Sequence, residues 1–206
     1  VQTVKNPGQM TPPDSSGDPK NPPQDKTFIP RSLGNKIMKE SSATIMQFLK
    51  GNNADVTSED SFRLEFMNDG FRIQVMDRTQ KPFFDKGTAK LTDYGQFVLK
   101  VIAWEIEHYP FHVEIEGHTQ GGNSTPEGVE NDWDLSSARA LACRRFLEEK
   151  GVRPGQFWRV AGYADKQPMD PDNPGIESNR RITVVIRLDP HANLDDVPKV
   201  FSIGKE

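Results

Sequence analysis

Four alternate residues, His112, Glu114, Glu116 and His118, carry imidazole and carboxylate groups, the donor types that hold zinc. On a strand, residues two apart lie about 6.6 Å from each other. Without help from elsewhere a straight segment gathers no more than two such neighbours round one ion, so the pattern reads first as the open face of a sheet, and a metal-dependent hydrolase using His112, Glu116 and His118 is the competing reading. Ser136, His118 and Asp132 supply the residue types of a hydrolytic triad. The chain lacks the Gly-x-Ser-x-Gly elbow that exposes such a serine. Ser136 also falls where serines near a helix start satisfy backbone N–H groups. Gly121-Gly122 is not followed by the Lys-Ser/Thr pair of a phosphate-cradling loop.

The arginines are more informative. Arg139 follows a long polar loop and lies in the first turns of a predicted helix, where the dipole favours anions. A guanidinium there, backed by free backbone N–H groups, makes a two-pronged carboxylate receptor. The competing reading is an ordinary ion pair with a nearby Glu or Asp. Arg180 shares parity with Ile182, Val184 and Ile186, so it points to the covered side of its strand and needs a partner or a ligand there. A salt bridge to Asp132 or Asp134 serves equally well. Arg181 points the other way.

A strand, a loop and a helix must bring these groups together. Residues 111–116 alternate apolar and polar and stop at Gly117. A helix follows from about Asp134 to Lys150, with Leu135, Ala138, Ala142, Phe146 and Leu147 at core spacing and Gly151 as its stop. Upstream, 62–67 and 71–76 alternate on either side of Asn68-Asp69-Gly70, a tight-hairpin signal. Phe62, Leu64 and Phe66 share a face, as do Phe71, Ile73 and Val75. Phe83 and Phe84 lid a corner of the core. Thr92 caps a helix to about His108, with Phe97, Val98, Val101, Ile102 and Ile106 inward. Strands are expected at 158–163 and 182–188, joined by a proline-rich irregular loop. A further helix spans 32–50, weakened at Gly34 and Ser41-Ser42. The order predicts an α/β fold (an α+β sandwich): a mixed sheet with helices packed on one face and a wet opposite face.

A net charge of -4 argues against a nucleic-acid surface. The lone Cys143 excludes an internal disulfide. The longest apolar run, near Val98–Trp104, is too short to span a bilayer, so any membrane anchor is expected outside this sequence. Residues 1–30 hold seven of the sixteen prolines and read as an extended, disordered spacer. The expected division is 1–31 linker, 32–60 helix and connection, 61–190 folded domain, and 191–206 tail.

From about Phe62 to Leu188 the chain resembles the OmpA-like peptidoglycan-binding family. The residues that carry the likeness are Phe83-Phe84-Asp85-Lys86-Gly87-Thr88-Ala89, Ile115-Glu116-Gly117-His118-Thr119, Trp133 through Ala140, and Asn179-Arg180-Arg181-Ile182. Within the family, Asp69–Asp77 and the Trp-Asp-Leu-Ser run are most similar to the flagellar stator branch, MotB and its sodium-type counterpart PomB. The resemblance implies a non-catalytic domain that needs no cofactor and holds the diaminopimelate-containing stem peptide of peptidoglycan. It implies ligand contacts at His118, Thr119, Gln120, Asp132, Leu135, Ser136, Arg139, Asn179, Arg180 and Arg181. It also implies a periplasmic location, a preceding inner-membrane helix, a MotA-type partner, a homodimer, and a channel-plugging or extending role for the region before the domain. The chain departs from the family at two places. Gln120 stands where the family has an acid that meets the ligand's ammonium, and Asp132 stands at the family's Asn. Either Asp132 restores the missing charge, or the ligand is altered or weakly held.

Overall fold

The Asn68-Asp69-Gly70 turn lets two alternating strands fold back on each other. In the computed structural model, which describes residues 28–51, 61–121 and 131–197, they are β1 (Phe62–Phe66) and β2 (Gly70–Met76). Phe62 lies opposite Val75, Leu64 opposite Ile73 and Phe66 opposite Phe71, so the two apolar rows share one face as the alternation requires. The remaining strands are β3 (Phe111–His118), β4 (Phe157–Gly162) and β5 (Arg181–Leu188). They assemble as β1-β2-β5-β3-β4, with β3 and β4 parallel and the other neighbours antiparallel. The spacer expected over 1–27, the connection at 52–60, the polar loop at 122–130 and the tail at 198–206 lie outside the described residues.

Among the described residues three helices cover one face: α1 (Arg31–Gly51), α2 (Asp93–Glu107) and α3 (Asp132–Glu149). Thr92 caps α2 as expected, its hydroxyl accepting from the Gly95 N–H at 3.1 Å. The core beneath is fully buried at Phe71, Ile73, Ile102, Phe111, Ile115 and Val184. Phe83 and Phe84 seal its corner, their rings 5.0 Å apart. The weak centre expected of α1 is instead its docking surface. Ser41 and Ser42 are buried, and a Cβ on Gly34 would stand 2.9 Å from Leu188 of β5. Small residues let the helix approach closely.

The face away from the helices is polar and tightly tied. Arg159 donates to Glu114 (2.5 Å) and Glu116 (2.6 Å), and Arg187 to Glu114 (3.1 Å) and Asp69 (2.8 Å). Burial raises the Glu114 carboxyl, but the Arg159 and Arg187 contacts outweigh it and hold the group below the usual carboxylate range. Thus the alternate acids of β3 neutralise arginines. Among the described residues no group of three or more His, Cys, Asp or Glu is arranged to hold a metal, and no helix is long and apolar enough to cross a membrane.

Glu105 of α2 is buried and lies beside Ser41 of α1. Burial raises its carboxyl above the ordinary Glu range, while Ser41 and His108 pull it back in part. A raised folded value means that its contribution is complete below the ordinary Glu range and is lost as pH climbs through the folded value. Glu105→Gln is therefore expected to raise the melting temperature at pH 7 by roughly 2–4 °C and to have little effect at pH 4. Thermal denaturation at the two pH values checks this.

Candidate functional site

Near its C-terminal end β3 lies backbone against backbone with α3. A Cβ on Gly117 would fall inside the contact distance of the Ser136 carbonyl oxygen and 3.0 Å from its carbon. Helix α3 starts at Asp132, two residues earlier than the sequence suggests. Asn131 is its cap, accepting from the Asp134 N–H at 3.0 Å. The helix is also rotated from its expected phase. The buried positions are Ser136, Arg139, Ala140, Cys143 and Leu147, whereas Leu135, Ala138, Ala142 and Phe146 are half-buried. The face against the sheet holds small and polar residues, so counting apolar side chains chose the flanking stripe.

Arg139 consequently lies under the helix and not at its solvent edge. The residue is 4% exposed. Its Nε donates to the Thr88 carbonyl at 3.0 Å, and its guanidinium lies over the Phe84 ring, 4.8 Å from the centroid. Nη1 stands 3.6 Å from Asp77 Oδ2. Burial lowers the guanidinium's affinity for its proton, Asp77 opposes that, and Arg180 adds to it. Of the two readings of Arg139, the ion pair with a nearby acid is present, and that acid is Asp77.

Arg180 shares that acid. Its Nε lies 3.7 Å from Asp77 Oδ2, and its Nη2 donates to the Asp77 carbonyl at 3.0 Å. Nη1 donates to Gln120 Oε1, and Glu177 Oε1 stands 3.5 Å from Nη2. The partners are Asp77, Gln120 and Glu177, in place of the Asp132 or Asp134 pairing considered above. Asp77 is itself buried, with Oδ1 accepting from the Phe83 N–H at 2.8 Å. Both Oδ2 contacts exceed hydrogen-bond length, so they are charge contacts without directional bonds. Asp132, half-buried in the first turn of α3, acts on Arg139 electrostatically.

The other sequence-derived positions divide by role. Ser136 is wholly buried, its hydroxyl donating to the Trp133 carbonyl at 3.1 Å and accepting from the Ala164 N–H at 3.1 Å. It staples α3 to the chain after β4. His118 and Arg181 pair across β3 and β5 on the opposite face of the sheet. His118 is buried, stacked on Tyr163 at 5.3 Å, and burial lowers its pKa. Arg181 donates to the Gln167 and Asn179 carbonyls, and burial lowers its pKa to about 10. Ser136, His118 and Asp132 thus form no triad. Thr119 is buried, and its N–H donates to the Ala164 carbonyl at 2.9 Å.

Asn179 is fully buried and its amide is committed to the protein. Nδ2 donates to the Pro174 (2.8 Å) and Asn173 (3.2 Å) carbonyls, and Oδ1 accepts from the Met169 N–H (2.8 Å). Asn179→Ala is expected to cost about 2–3 kcal/mol and to open the 168–179 loop to proteolysis, because buried backbone groups lose their partners. Urea midpoints and limited proteolysis measure both effects.

The cluster brought together is Gln120, Arg139 and Arg180 around Asp77, with Asp132 nearby. Asp77 escaped the sequence reading as a site residue. Its one signal was an acid closing the apolar alternation of β2 just before a turn. The arrangement supplies charge and hydrogen-bond donors, with no nucleophile held by a base.

Residues 83–181 match the model of the OmpA family. The chain is 30% identical over 132 residues to the truncated flagellar export/assembly protein LafU of Escherichia coli K12, spanning 64% of this chain and 62% of LafU. It is 30% identical over 125 residues to Motility protein B of Escherichia coli K12, spanning 60% of this chain and 41% of that protein. The chain therefore spans less than two thirds of either relative. Its fold is similar to that of the periplasmic domain of Helicobacter pylori MotB, with a TM-score of 0.55 at 17% identity, covering 65% of this chain and 83% of that one.

Proposed function

We propose, from the match of residues 83–181 to the OmpA family model, that the chain is a non-catalytic wall anchor that holds the stem peptide of peptidoglycan in the periplasm. The observation that carries this reading is the pair of guanidiniums, Arg139 and Arg180, drawn to one carboxylate beside Gln120 at the end of β3. Arg180 remains 23% exposed at its side chain and can take a ligand carboxylate, while Arg139 reinforces the positive field from below. The 30% identity to Motility protein B favours a place in a flagellar stator. In that role the domain would work as a homodimer with a MotA-type subunit, held by an inner-membrane helix preceding this sequence, and residues 1–31 and 32–60 would form the spacer and its helix.

Purified chain is expected to co-sediment with isolated peptidoglycan at low salt and to be released as the Debye length falls from about 8 Å to about 3 Å at 1 M salt. Arg180→Ala, at a partly exposed site, is expected to weaken retention roughly tenfold and to lower the melting temperature by a few degrees, because Asp77 keeps only one of its two cations. Equal retention of the two proteins would remove Arg180 from the site.

A further inference from the structure

Building on the wall-anchor reading, we propose that Asp77 is a built-in competitor for the ligand carboxylate and sets how weakly the site holds it. Asp77 Oδ2 stands 3.6 Å from Arg139 Nη1 and 3.7 Å from Arg180 Nε, near enough to neutralise yet beyond directional bonding. Its other oxygen is tied to the Phe83 N–H, which fixes the carboxylate in place. One acid thus serves two guanidiniums. Among the described residues, the other acid at bridging distance from either is Glu177, 3.5 Å from Arg180 and 40% exposed at its side chain, where water screens it. Gln120 gives Arg180 a neutral acceptor, so it holds the side chain without cancelling its charge. An incoming carboxylate that engages Arg180 must draw it from Asp77, and the measured affinity is the difference between the two attractions. Asp77 is a positioning residue with a cost in affinity.

Asp77→Asn keeps an acceptor for the Phe83 N–H and removes the competing charge. The probe is a stem tripeptide containing diaminopimelate, titrated calorimetrically against the whole chain. Asp77→Asn is expected to bind it at least roughly fivefold more tightly than the parent chain, with a steeper loss of affinity as salt is added. The unliganded variant is expected to melt lower, because two guanidiniums lose their common counter-charge, and to recover more on adding tripeptide. Weaker or equal binding by a folded Asp77→Asn overturns the proposal and leaves Asp77 a structural clamp. Should that variant fail to fold, the parent chain crystallised with the tripeptide decides. An Arg180 Nε to Asp77 Oδ2 separation beyond 4 Å supports competition, and an unmoved pair overturns it. Failure of the parent chain itself to co-sediment with peptidoglycan would undo the wall-anchor reading, whereas equal retention of parent and Arg180→Ala would remove Arg180 from the site. Loss in Arg180→Ala without a gain in Asp77→Asn would undo only the competition.

Discussion

Arg139→Ala is expected to abolish retention on peptidoglycan and to destabilise the domain by about 3 kcal/mol. Both effects follow from burial. The side chain is 5% exposed, packs on Phe84 and donates to the Thr88 carbonyl. Truncation empties that space, strands the carbonyl and leaves Asp77 with one cation, and breaking a buried charge pair typically costs about 3–5 kcal/mol. The surviving contact to Arg180 keeps the estimate at the lower end. Arg139→Lys separates the contributions: it restores charge without the planar fork, so it should recover part of the stability and little of the binding. Urea denaturation beside co-sedimentation reads both. A variant as stable as the parent would mean that Arg139 is not the packed element described.

Gly117→Ala is expected to cost about 3 kcal/mol or more, or to prevent folding. No side chain fits there, since even a methyl group would meet the Ser136 backbone. Gly162, next to it on β4, has the same constraint against Ser136 and Ser137. These two glycines let α3 settle on the ends of two parallel strands, and so they set the depth of Arg139. Gly155→Ala is the control. Nothing lies within 4 Å of its added methyl, and its effect should stay within about 0.5 kcal/mol. Melting temperatures of the two variants test the contrast.

Much of this architecture could be read from residue patterns. The hairpin, the Thr92 cap and the strand–helix order follow from alternation and turn chemistry, which are local. Helix α3 shows where local reading stops. Its inward stripe is Ser136, Arg139, Ala140 and Cys143, and such residues face a core only when a neighbour supplies the bonds. Those neighbours, Ala164 for Ser136 and Asp77 and Thr88 for Arg139, are 28 or more positions away. The same holds for Arg180. Strand parity placed it on the covered side, but its acid came from the end of β2 and not from α3. Asn179 was legible as part of a motif. That its amide is consumed by the 168–179 loop depends on a chain path that proline content does not specify.

The two ends of β5 have different neighbours. Phe28 bridges Asn193 and Gly34 lies against Leu188, so the lead into the domain meets it where β3 begins, at the Phe111–Leu188 pair. Arg180 and Gln120 stand at the other end, beyond the His118–Arg181 pair. A pull between Phe28 and Arg180 would run lengthwise along the two innermost strands. Their cross-strand hydrogen bonds lie at right angles to that pull. The rungs would then share the load in shear instead of unzipping one after another, a mechanically resistant way to hang a weight from a sheet.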